Sequence, residues 1–224
     1  AYDGSRLLVS DVKADTLGVV RGGRVHTLMG GFGEPEGIVP LSRTRLELAE
    51  QKTNRVLAID LVHHTRRTVA TLPTVPGQSG LDSIQAAPGG DAYLPDSENG
   101  DLYLLHHGRV RMIASGMVRP VHALYWHGAI RVADEYASVI WTISGHRRTR
   151  LARLTLPDDL AVVDGRLLAI SQFGGLWEVA PRLRLISGAF KYLQGLTAAG
   201  LDAAVVADQA RNTIDRITGL RPCL

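Results

Sequence analysis

The sequence predicts an all-β chain folded as a six-bladed β-propeller. Three observations carry that expectation: a repeat of blade length, strand-like alternation inside each repeat, and an abundance of turn formers. The chain has 224 residues, 45% of them hydrophobic, which is enough to bury a core within a single domain spanning residues 1–224. Its 24 glycines and 10 prolines, set against 5% aromatics, suit many short strands joined by tight turns better than a helical bundle.

Six segments share a strand, an acidic or polar residue, a short turn and a second strand: LLVSDVKADTLGVV, LELAEQKTNRVLAI, AYLPDSENGDLYLL, IRVADEYASVIWTI, LLAISQFGGLWEV and AVVADQARNTIDRI. The punctuating residues are Asp11, Glu50, Asp96, Asp134, Ser171 and Asp208, separated by 39, 46, 38, 37 and 37 residues. Propeller blades of four antiparallel strands repeat at about 40 residues. Alternating and β-branched runs such as Arg55–Asp60 and Arg67–Leu72, with turn residues between them, read as the third and fourth strands of a blade.

The innermost strand of each blade is expected one turn before the punctuation. Candidates open at Glu36, Asp82, His122, Asp158 and Gln194, and the first repeat lacks one. The stretch from Asp208 through the C-terminus and on from residue 1 to Asp11 is about ten residues short of a period. The two chain ends are therefore expected to share one blade, which would protect the open edges. A five-bladed ring with a spare hairpin is the alternative.

Residues that open innermost strands point toward the axis of a propeller, which makes Glu36, Asp82, His122, Asp158, Asp159 and Gln194 the candidate site. Acids with one histidine around a polar funnel suit a hard divalent cation, Ca²⁺ or Mg²⁺, because such ions take oxygen ligands from several elements at once. The plainer reading is that each polar side chain bonds backbone groups of a neighbouring blade.

Other features read as architecture. The punctuating acids recur in every blade and can cap the turns that follow them. Trp126, Trp141, Trp177, Tyr125, Tyr136 and Tyr192 are expected to pack between blades. His63–His64 and His106–His107 fall in outer turns facing solvent. The formal charge is +3 with scattered arginines and no aromatic-interleaved basic stripe, so no nucleic-acid partner is expected. No apolar run approaches membrane-spanning length, so no membrane partner is expected either. The lone Cys223 allows no internal disulfide, and neither a cytoplasmic compartment nor secretion after signal removal is favoured.

The segments GEPEGIVP, GMVRPVHALYWHGAIRVADE and LPDDLAVVDGRLLAIS resemble strand units of the calcium-dependent propeller superfamily of gluconolactonases, regucalcin and strictosidine-synthase-like proteins, and also NHL repeats. The resemblance implies a divalent cation held by Glu36 and Asp158, while Val121 stands where the family has an asparagine ligand, with His122 beside it. It further implies a small-molecule substrate and hydrolysis of a lactone or ester, the cation polarising the carbonyl and His122, Asp82 or Asp159 acting as base. Histidine is favoured because its ordinary pKa lies nearest neutrality. The alternatives are a metal-free cyclase, lyase or condensing enzyme of the strictosidine-synthase-like type, and a non-catalytic NHL-like module that holds a peptide or protein.

Overall fold

Period-two alternation dictates how the strands stack. Along β5 (Arg45–Glu50), Leu46 and Leu48 enter one apolar cluster while Ala49 enters the next. Along β17 (Arg166–Ser171), Leu167 and Ala169 face one cluster and Leu168 and Ile170 another. Successive side chains leave a strand on opposite sides, so each of these sheets is apolar on both faces and must be covered on both, which is the condition for radial stacking of blades. Every fully buried leucine in such a seam contributes about 2 kcal/mol.

The computed structural model describes residues 1–75 and 80–220, and within them the chain is a six-bladed β-propeller of antiparallel sheets. Blade one is β1 (Leu8–Asp11), β2 (Thr16–Arg21) and β3 (Arg24–Gly30); blade two is β4 (Pro35–Pro40), β5, β6 (Arg55–Asp60) and β7 (Thr65–Thr71). Blade three is β8 (Gln85–Ala86), β9 (Ala92–Asp96), β10 (Asp101–His106) and β11 (Arg109–Ala114). Blade four is β12 (Pro120–Trp126), β13 (Ala129–Asp134), β14 (Val139–Ser144) and β15 (Arg147–Arg153). Blade five is β16 (Pro157–Val163), β17, β18 (Gly175–Glu178) and β19 (Arg184–Ser187); blade six is β20 (Leu193–Ala198), β21 (Ala204–Asp208) and β22 (Thr213–Ile217). The chain divides into two compact units, residues 1–120 and 121–224, holding blades one to three and blades four to six. Among the described residues no helix is long and apolar enough to cross a membrane, and Cys223 lies outside them.

Two expectations about the chain ends and the third blade are corrected. The ends do not share a sheet among the described residues: β1–β3 and β20–β22 each form a three-stranded sheet of their own. At the N-terminus Ala1 and Leu8 exchange hydrogen bonds at 2.9 and 2.8 Å, Asp3 accepts the amides of Ser5 and Arg6, and the Leu7 carbonyl accepts the Val20 N–H of the same blade. Asp82 does not stand on a strand. Leu81 makes an isolated bridge to Asp96, and β8 begins only at Gln85 before a 3₁₀ turn at Pro88–Gly90 cuts it short.

The punctuating residues hold the blades in a way turn capping alone does not describe. Glu50 accepts the N–H of Gly33 at 2.9 Å, Asp208 accepts those of Lys191 and Tyr192 at 2.9 and 3.2 Å, and the Ser171 hydroxyl donates to the Thr155 carbonyl at 2.6 Å. In each case the partner includes the residue two before the first residue of the innermost strand, Pro35, Leu193 or Pro157. In these three blades the polar residue thus pins the incoming chain to the start of its own blade, whereas Asp96 accepts the Asn99 side-chain amide and Asp134 the Trp141 indole N–H. Asp11, whose blade has no innermost strand among the described residues, instead caps its turn through the N–H groups of Lys13 and Ala14.

Candidate active site

The residues that open the innermost strands are set by β-bulges. In β4, Pro35 pairs Glu50 and Ile38 pairs Leu48, so Glu36 and Gly37 together oppose Ala49. In β16, Pro157 pairs Ser171 and Leu160 pairs Ala169, so Asp158 and Asp159 oppose Ile170. In β20, Leu193 pairs Asp208 and Gly195 pairs Ala207, leaving Gln194 as the extra residue. A bulge inserts one unpaired residue and re-aims its side chain, here at the same register position of three blades.

In the first unit, Glu36 is half-buried and its carbonyl accepts the Ser10 hydroxyl at 2.5 Å. Asp82 is bound by an arginine that sequence reasoning missed: Arg119 Nη2 donates to its Oδ2 at 2.8 Å, and the Ser97 hydroxyl stands 2.6 Å from the same oxygen. Arg119 also lies 3.5 Å from Glu98. Gly37 has no room for a side chain, because a Cβ there would come within 2.3 Å of the Ile84 nitrogen.

In the second unit, His122, Asp158, Asp159 and Gln194 join two linked hydrogen-bond systems. His122 on β12 is buried, at 6% exposure, and its Nδ1 lies 3.0 Å from Asp159 Oδ1 on β16. The Leu160 N–H is shared between that Nδ1 (3.0 Å) and Asp159 Oδ1 (2.9 Å), while Asp159 Oδ2 accepts the N–H of Leu196 on β20 at 2.7 Å. The second system starts at exposed Gln194, whose amide reaches the Tyr192 hydroxyl at 3.5 Å. That hydroxyl donates to Gln172 Oε1 at 3.3 Å, and Gln172 Nε2 donates to Asp158 Oδ1 at 3.1 Å.

Asp159 therefore both orients the imidazole and fixes three innermost strands. With a proton on Nδ1 directed at Asp159, Nε2 carries a lone pair and is a base; with Leu160 N–H donating to Nδ1, the proton sits on Nε2, which is then a hydrogen-bond donor. Sequence reading found the histidine, both aspartates and Gln194 but not Gln172, and it placed Tyr192 in a seam; these two residues connect Gln194 to Asp158. Their signal was positional, since Gln172 directly follows the punctuating Ser171 and Tyr192 directly precedes the strand.

Two tyrosines expected between blades lie elsewhere: Tyr125 is 47% and Tyr136 63% exposed. The tryptophans are half-buried and each indole N–H has a partner, Trp126 to Gly165 O, Trp141 to Asp134 and Trp177 to Gly174 O. His63–His64 and His106–His107 sit in or beside the outer turns as expected, His106 paired to Asp91 at 2.6 Å.

Among the described residues no three His, Cys, Asp or Glu side chains are grouped as a set of metal ligands. Val121 offers hydrocarbon, Asp82 is neutralised by Arg119, and both oxygens of Asp159 already accept backbone N–H groups. This donor set does not fit a resident cation without rearrangement.

No protein-family model and no curated protein matches the sequence. Solved structures do match it in shape. A gluconolactonase from Xanthomonas campestris superposes with a TM-score of 0.74 at 16% identity, over 91% of this chain and 79% of that one. The calcium-binding protein regucalcin from Agrobacterium tumefaciens gives 0.74 at 13%, over 88% and 75%. A catalytically inactive virginiamycin B lyase from Staphylococcus aureus, solved with quinupristin, gives 0.73 at 13%, over 96% and 77%. The likeness is one of fold. At these identities the propeller is shared, and function has to be argued from the site.

Proposed function

We propose that the chain is a small-molecule enzyme that opens a lactone or related ester by proton transfer at His122, with Asp159 orienting the imidazole. The observation that carries this reading is the 3.0 Å approach of His122 Nδ1 to Asp159 Oδ1, with Asp159 itself fixed by the Leu160 and Leu196 amides. A base positioned by a carboxylate that is in turn held by backbone is the arrangement general acid–base catalysis needs. The likeness to a gluconolactonase and to a lyase supports a substrate of this kind.

In hydrolysis, His122 Nε2 accepts a proton from water as the water oxygen bonds to the carbonyl carbon. The imidazolium, opposite the Asp159 carboxylate, returns that proton to the alkoxide as the ring C–O bond breaks. Facing an acidic C–H instead, the same base gives a lyase outcome: the C–H and C–O bonds break, a C=C bond forms and the carboxylate leaves. The Gln194 amide, which gives one N–H to the Tyr192 hydroxyl and has a second, is the donor assigned to a developing oxyanion. Asp82, salt-bridged to Arg119, is assigned a charge-balancing role in its own unit.

A second reading, which needs the donors to rearrange, has Ca²⁺ or Mg²⁺ bind at Glu36 or at Asp158, each within its own unit. What favours it is that both carboxylates stand at the same register position of their bulges, together with the likeness to calcium-binding regucalcin. Thermal unfolding of chelator-treated protein with each ion added in turn separates the two readings, because a native-state ligand raises stability by mass action. A rise of several degrees that is lost in Glu36→Ala favours the cation; no shift favours the histidine.

A further inference from the structure

Beyond the base, the second unit carries exposed aromatic rings at two repeat-equivalent positions. Phe173 is 64% and Tyr136 63% exposed. Each stands two residues after the punctuating residue of its blade, Ser171 or Asp134, so consecutive blades raise a ring from the equivalent turn. The corresponding positions of the first unit are Lys13, Lys52 and Glu98, all charged. Scattered single apolar side chains on a surface are ordinary, whereas two at repeat-equivalent positions on one face mark a contact surface.

One of the rings is tied to the candidate site. Phe173 meets Tyr192 edge to face, the centroids 5.2 Å apart at 62°. Tyr192 is the residue whose hydroxyl bonds Gln172, and Gln172 bonds Asp158. An apolar ring surface thus adjoins a polar chain of two amides, a phenol and a carboxylate, which is the composition of a small-molecule site.

We infer that Phe173, with Tyr136 on the neighbouring blade, forms the specificity face of the site, and that it selects substrates bearing an aryl or other flat apolar ring over polyhydroxylated ones. The inference rests on the small-molecule reading above and names the class of substrate. A polyhydroxylated ring laid on these side chains would lose hydration without recovering hydrogen bonds, whereas an aryl group stacks on them.

The test is calorimetric titration of dihydrocoumarin, an aryl-fused lactone, and of gluconolactone, a polyhydroxylated one. It uses the wild-type chain, Phe173→Ala and Tyr136→Ala, alongside turnover of both lactones by the wild type. The expected result is at least about tenfold tighter binding of dihydrocoumarin, lost in Phe173→Ala and reduced in Tyr136→Ala, with gluconolactone unaffected. Equal affinities, no binding of dihydrocoumarin, or an equal effect of Phe173→Ala on both lactones overturns the inference. Aryl-selective binding without turnover contradicts the reaction proposed above but upholds the aromatic face. Turnover without aryl preference does the reverse.

Discussion

His122 and Asp159 face each other across adjacent blades, Nδ1 to Oδ1 at 3.0 Å, and Asp159 reaches on to the Leu196 amide of the next blade at 2.7 Å. One carboxylate therefore has two duties, orienting an imidazole and binding strands together, and substitutions can separate them. Asp159→Asn retains acceptor capacity for one amide but reverses the polarity offered to the ring. It is expected to lower kcat by about 10²-fold with a small change in Tm. Asp159→Ala strands the Leu196 N–H as well and is expected to lower both. Paired steady-state rates and melting curves check this.

The link from Asp208 to Lys191 and Tyr192 is structural. Removing the carboxylate leaves two N–H groups at the start of blade six without their acceptor. Asp208→Ala is expected to destabilise by about 2–3 kcal/mol, and Ser171→Ala, which loses one bond to Thr155, by about 1 kcal/mol. Denaturant midpoints of the two variants check the order.

Acid should weaken the fold through these same carboxylates. Burial by itself would push the Asp208 carboxyl up, but the Lys191, Tyr192 and Arg211 amides outweigh it and hold it below its ordinary value. Burial of Glu50 is likewise outweighed, by the Thr53 hydroxyl, by Arg55 and by the Gly33 amide. A carboxyl whose folded pKa is depressed contributes stability above its unfolded pKa, and that contribution is lost as pH falls through the folded value. Asp96 runs the other way, since burial raises it, so its contribution is lost as pH rises. Melting temperature against pH should show Asp208→Asn less stable than wild type at neutrality, the gap closing in acid. Asp96→Asn should gain on wild type toward neutrality.

Gly37 is expected to tolerate no side chain. The Cβ of Gly37→Ala would meet backbone atoms, the Ile84 nitrogen at 2.3 Å and the Ser83 Cα at 2.8 Å, and backbone cannot step aside as a flexible side chain can. A loss of about 1–3 kcal/mol is expected. Gly195→Ala, whose added Cβ would stand 3.5 Å from the Ala207 Cβ, is the milder control at the equivalent bulge of β20.

The blade count and the punctuating positions were legible because they follow from short-range pattern. Alternation fixes which side chains enter a seam, and a repeated polar residue marks each turn. The bulges were not legible, because Glu36–Gly37 and Asp158–Asp159 look like ordinary strand residues until the opposing strand supplies one partner for two. Arg119 was missed as the partner of Asp82 because the two lie 37 residues apart and meet only through the fold. Tyr125 and Tyr136 were expected in the seams because aromatic side chains usually pack there; the structure leaves both exposed.

Dihydrocoumarin and gluconolactone turnover by chelator-treated wild-type protein, beside a His122→Asn variant of matched secondary structure, distinguishes proton transfer at His122 from cation chemistry. Turnover should survive chelation and fall by about 10²-fold or more in His122→Asn. Turnover that vanishes with the chelator and returns with calcium, or a His122→Asn protein that works as well as wild type, would contradict proton transfer at His122.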